Sequence, residues 1–161
     1  MATETSENLL EDTIEIDASP DQVWLLVTDI PRMAQWSPQV VRSRVKGGAV
    51  RLGATFSNLN RQGIKVWPTS GEVVRLTPPA GSEAGEFAFR IKENRTIWSF
   101  RLEPTAAGGT RVTERRETPQ GISAVSLGLT KVALGGQQKF TAELRAGIRS
   151  TLERIKAEAE K

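Results

Sequence analysis

Residues 12–38, DTIEIDASPDQVWLLVTDIPRMAQWSP, constrain the fold more than any other stretch of this 161-residue chain. Ile14 and Ile16 alternate with Thr13, Glu15 and Asp17, the pattern of a half-buried strand. Ser19-Pro20-Asp21-Gln22 then supplies a complete helix start. Ser19 can cap, Pro20 stands at the first helical position where its missing N–H costs nothing, and Gln22 closes a capping box. Val23, Trp24, Val27 and Ile30 recur at helical spacing and make one face apolar. Asp29-Ile30-Pro31 breaks this helix and begins a second short one, closed by Trp36-Ser37-Pro38. The segment therefore reads as a strand, two short helices and a turn into a new strand.

Length bounds the chain to one domain that can bury roughly 70% of its unfolded surface. Residues 1–11 read as a flexible polar tail and 12–161 as a single domain. The tail has no basic and apolar pair of regions, so no signal peptide is expected, and a cytoplasmic protein without a transmembrane segment is. Net charge is +3, from 22 basic and 19 acidic residues. That is too small for a nucleic-acid footprint, and no nucleic-acid partner is expected.

The absent residue types exclude more. With no His, Cys or Tyr, the chain has no imidazole base, no thiolate nucleophile, no disulfide framework and no phenolic acid. Acid–base work is left to Asp, Glu, Lys and Arg. Neither a metal site nor a cofactor is expected.

After residue 38 the period is that of strands. Gln39–Lys46, Ala54–Arg61, Glu86–Ile91, Thr96–Leu102 and Thr110–Thr118 are separated by turn residues, which favours one continuous antiparallel sheet. Ile64–Trp67 and Gly71–Thr77 read as one strand interrupted at Pro68, where a bulge or an edge is expected. From Gln137 the period changes: Phe140, Leu144, Ile148, Leu152 and Ile155 mark a long amphipathic helix. The intervening 121–136 carries apolar residues at helical spacing but four glycines. It reads either as a mobile lid or as a kinked first part of the last helix.

These features together resemble the START-like (Bet v 1-like, SRPBCC) superfamily. Within it the chain is most similar to the polyketide cyclase/dehydrase and lipid-transport family, of actinobacterial type. The match rests on the 12–38 segment, on GATFSNLNRQGIKVW (53–67) and on the last helix, and covers about Asp12 to Glu158. The resemblance implies an α+β helix-grip fold. In it a curved antiparallel sheet of about seven strands wraps a long C-terminal helix, with two short helices after the first strand. It also implies an elongated apolar cavity between sheet and helix.

Strand parity supplies candidate lining residues. Phe56, Asn58 and Asn60 share the inward face of one strand, Phe87 and Phe89 that of another, and Trp98 and Phe100 that of a third. Trp36 is placed at the expected mouth and Trp67 at a strand end. Plain core packing is the competing role for every aromatic, and bonding to neighbours is the competing role for both amides. Parity also takes Glu114 and Arg116 inward with Val112. There they would orient a polar group, with Glu114 the one candidate base; alternatively both are solvated charges on a wet rim.

The expected function is binding of a hydrophobic small molecule or lipid, by a monomer or weak homodimer. The alternative is a polyketide cyclase/dehydratase-like enzyme that shapes its substrate in the same cavity. An interaction module built on the sheet or on 121–136 is a third class, which no sequence feature demands.

Overall fold

A computed structural model describes residues 9–118 and 137–161, with side chains of the last helix described from residue 141. The segment 121–136, and with it the choice between lid and kinked helix, lies outside the described residues.

Seven strands form one antiparallel sheet. They are β1 (Leu9–Ile16), β2 (Val40–Val45), β3 (Thr55–Gln62), β4 (Lys65–Thr77), β5 (Gly85–Ile91), β6 (Ile97–Pro104) and β7 (Thr110–Glu117). Their order is β1-β7-β6-β5-β4-β3-β2. Every neighbour from β2 to β7 is a hairpin partner, while β1 crosses to pair with β7, Ile14 standing opposite Val112. Between β1 and β2 lie α1 (Pro20–Val27), a 3-10 turn (Ile30–Arg32) and α2 (Met33–Trp36). The chain closes with α3 (Gln137–Ala159). This is the helix-grip α+β arrangement.

The local reasons are those of the sequence. The Gln22 backbone N–H donates to Ser19 Oγ at 3.3 Å, and the Ser19 N–H donates to Gln22 Oε1 at 3.1 Å. Two otherwise orphaned donors are thereby satisfied. Ser19→Ala is expected to cost about 1 kcal/mol of stability, read as a lower denaturation midpoint with an unchanged denaturant slope. No change in midpoint would show that the cap is idle. Val23 and Val27 turn inward from α1, and Trp24 meets Phe87 edge-on with ring centroids 6.4 Å apart.

Three details depart from the sequence reading. β1 begins at Leu9, inside the expected tail, because Leu10 is buried on the same face as Ile14 and Ile16. Of the bulge or edge expected at Pro68 the edge is found, and the β4 register shift lies farther on, between Val73 and Arg75. Pro68 pairs with Leu59 of β3, in the part of β4 that precedes its first β5 partner at Gly71, so it stands at a local edge as a strand proline should. Trp36 closes α2 and is buried, a wall rather than an exposed gatepost.

The core fills the space between sheet and helices. Leu10, Ile14 and Ile16 of β1, Leu102, Val112 and Phe87 meet Ile148, Leu152 and Ile155 of α3. Gly71 has a packing role: a Cβ there would stand less than 3.0 Å from three ring atoms of Phe56, so the bare backbone is what lets that ring lie across β4. α3 also dresses the outer edge of β1. Arg149 donates to the Thr13 carbonyl at 3.2 Å, Lys156 to the Glu15 carbonyl at 2.8 Å, and the Asp17 N–H donates to Glu160 at 2.8 Å. At the opposite edge, β2 exposes Arg42 and Arg44.

Candidate functional site

Between the concave face of the sheet and α3 lies a cavity of about 1050 Å³. Its floor is set where the inward residues of β6 and β7 change from sealed core to lining: Leu102 and Val112 are fully buried outside it, whereas Phe100 and Glu114 face into it. From there β7 contributes Glu114 and Arg116, successive inward positions about 7 Å apart along the strand, and Thr118 follows just past its end. β5 and β6 add Phe89, Ile91 and Trp98, and α2 adds Trp36. Leu144, Gly147, Ile148 and Thr151 close it from the helix.

The rim is the β3–β4 hairpin and the β5–β6 turn, where Arg61, Lys65, Val66 and Glu93 are lining yet exposed. Gly63, at φ +62°, turns the hairpin as few other residues can. The adjacent Ile64 is 97% exposed at its tip. A hydrogen bond from the Gln62 amide to Glu143 ties the hairpin to α3 across this rim.

Polar residues line the cavity at its rim and also at depth. Ser43 donates to Asn58 Oδ1 at 2.6 Å, and Asn60 Nδ2 donates to the Trp67 carbonyl at 3.2 Å and to Thr69 Oγ1 at 2.9 Å. Both amides thus find protein partners, as an amide on an apolar wall must. Glu114 does not: its Oε2 is buried without any hydrogen-bond partner. Glu114 is 4% exposed and Arg116 6%, so the alternative of two solvated rim charges is wrong. Burial raises the Glu114 pKa well above the ordinary carboxylate value, and the charge of Asp12 across the β1–β7 ladder adds to it. Both influences favour the protonated form of this carboxyl. Burial lowers the Arg116 pKa to about 10, which still leaves it charged. Its guanidinium lies 5.8 Å from the Trp98 ring centroid, in cation–π contact.

Of the eleven residues singled out by parity and placement, nine meet on this one surface: Trp36, Asn58, Asn60, Trp67 and Phe89, with Trp98, Phe100, Glu114 and Arg116. Phe56 and Phe87 do not. Phe56 lies over Gly71 and edge-on to Phe89, with centroids 5.3 Å apart, and Phe87 is sealed beneath Trp24. Parity assigns a residue to a face but not to a depth along it, and the short helices cover the deep end. The helix contribution escaped the sequence reading as a site, although Ala146-Gly147 beside Leu144 and Ile148 marks a stretch of small side chains within the apolar stripe. Thr118 continues the Glu114–Arg116 parity and could have been found from it.

Residues 9–160 match the profile of the polyketide cyclase / dehydrase and lipid transport family. The chain belongs to that family. No curated protein matches it in sequence. Among solved structures it is similar to the ZhuI aromatase/cyclase from Streptomyces sp. R1128, at TM-score 0.72 and 16% identity over 94% of this chain and 93% of that one. A STAR-related lipid transfer protein fragment from Xanthomonas axonopodis gives TM-score 0.71 and 15% identity over 95% and 86%. The di-domain ARO/CYC StfQ of the steffimycin biosynthetic pathway gives TM-score 0.71 at 15% identity over 95% of this chain, which spans 50% of that longer protein. At such identities the likeness is one of fold. Among the described residues of this family member, no helix is long and apolar enough to cross a membrane.

Proposed function

We propose that this chain binds an elongated hydrophobic small molecule or lipid in the cavity between its sheet and α3, as a carrier or binding protein. The cavity itself carries this reading. Its volume of about 1050 Å³ is at the upper end of small-molecule pockets, which run to about 1,000 Å³. The surface of its walls is mainly apolar, with polar residues at the rim and at depth. The family's description, which names lipid transport beside cyclisation, supports it further. Native mass spectrometry of gently purified protein, followed by organic extraction, is expected to find an apolar molecule bound at one per chain. Protein that arrives empty and takes up no added lipid would overturn the reading.

A second reading is favoured by one observation, the unpartnered acid at the floor. A neutral carboxylic acid in an apolar pocket can donate a proton to an enolate and then take one back, as a cyclase or dehydratase acting on a poly-β-ketone requires. Glu114→Gln keeps the shape and removes the proton. Unchanged turnover of a polyketide substrate in that variant would end the case for Glu114 as the acid.

A further inference from the structure

The deep end of the cavity holds a buried guanidinium, Arg116, two residues along β7 from the buried carboxyl of Glu114. Arg116 has no ion pair among the described residues, and desolvation alone accounts for its lowered basicity. The segment between Thr118 and Gln137 contains no Asp or Glu that could reach it. Asp12, the carboxylate nearest Glu114 in the ladder, is engaged by Arg149 at 3.4 Å. Among the described residues, the guanidinium has the Trp98 ring beside it and no carboxylate in an ion pair.

We propose that the ligand carries a carboxylate at its deep end, held by the Arg116 guanidinium, with its apolar body running out between Trp98, Phe89 and Ile148 towards the hairpin rim. This proposal rests on the reading that the cavity binds an elongated apolar molecule, and adds the chemistry of its head. Burying a cation without a counter-charge is costly, and a carboxylate supplies that charge together with charge-assisted hydrogen bonds. Glu114 is compatible with this. An ionised neighbour would repel the ligand's carboxylate, but burial favours the protonated form of this one. A neutral head would leave the guanidinium uncompensated.

Hexadecanoic acid, hexadecan-1-ol and methyl hexadecanoate share a chain length and differ in the head. Their binding is measured at pH 7.5 by quenching or enhancement of the tryptophan fluorescence, since Trp36, Trp67 and Trp98 line the cavity. The acid is expected to bind about tenfold more tightly than the alcohol or the ester, as one charge-assisted hydrogen bond implies. Arg116→Met is expected to abolish that preference, so that acid, alcohol and ester bind alike. Equal affinities of acid, alcohol and ester for the unaltered protein would overturn the proposal and leave hydrophobic binding standing; that comparison needs no variant to fold. Binding of none of the three would overturn both.

Discussion

Phe87→Ala is expected to lower the free energy of unfolding by about 3–5 kcal/mol, the range for emptying a sealed aromatic site. The reasons are geometric. Phe87 is fully buried, meets Trp24 edge-on, lies 5.8 Å from the centroid of Phe89, and stands opposite Phe100 in the β5–β6 ladder. Its ring is wedged between α1 and the sheet, so the space cannot close without moving the helix. Because it does not line the cavity, the folded variant is expected to keep its ligand affinity within about threefold, a difference well under 1.4 kcal/mol. Denaturant unfolding and a binding titration on the same preparation separate the two effects. A loss below about 1 kcal/mol, or a large loss of affinity in folded protein, would place Phe87 in the cavity wall after all.

Glu114→Gln is expected to change how stability depends on pH. The folded-state pKa of Glu114 lies well above its unfolded value because of burial and the charge of Asp12. Below the unfolded pKa both states hold the proton, and the group contributes no pH dependence. Above it the unfolded chain ionises while the folded one does not, so the folded state binds more protons and stability falls as pH rises. The slope approaches about 1.4 kcal/mol per pH unit until the folded carboxyl itself ionises. The charged group that acts on this carboxyl is Asp12 of β1, itself paired with Arg149 of α3. Neither is removed by the substitution. Glutamine has nothing to ionise, so the variant is expected to gain on the parent as pH rises through and above the ordinary carboxylate range. Chemical denaturation at a series of pH values reads this directly. A constant difference across that range would show Glu114 ionised in the folded protein.

Such expectations depend on knowing which parts of the chain speak locally. The capping box at Ser19, the proline at the first helical position and the β1 alternation are contacts between residues a few positions apart, and the fold follows from them almost element by element. Parity along β3, β5, β6 and β7 likewise places each side chain on the correct face, since a strand leaves no other choice. What parity lacks is depth. Phe56 and Phe87 share a face with Asn58 and Phe89, yet Gly71 and Trp24, distant in sequence, decide that they are core. The burial of Glu114 and Arg116 was hidden for the opposite reason: charged residues on a strand normally mean solvent, and only the closing of α3 over β7 removes it. Leu10 belonged to a polar-looking terminus until β7 supplied its partner strand.

The way the sheet is finished has a bearing on how this protein meets other copies of itself. A sheet with β1 and β2 outermost has two rims of backbone groups that invite a further strand. At β1 the invitation is already answered, because cations of α3 occupy the Thr13 and Glu15 carbonyls and Glu160 takes the Asp17 N–H. At β2 the deterrent is charge. A second β2 laid antiparallel against the first about Ser43 would bring Arg42 of each copy up against Arg44 of the other, a like-charge pairing across strands that opposes assembly. One rim is stoppered and the other repels its twin, so a greasy interior can be kept without the sheet growing into a fibre.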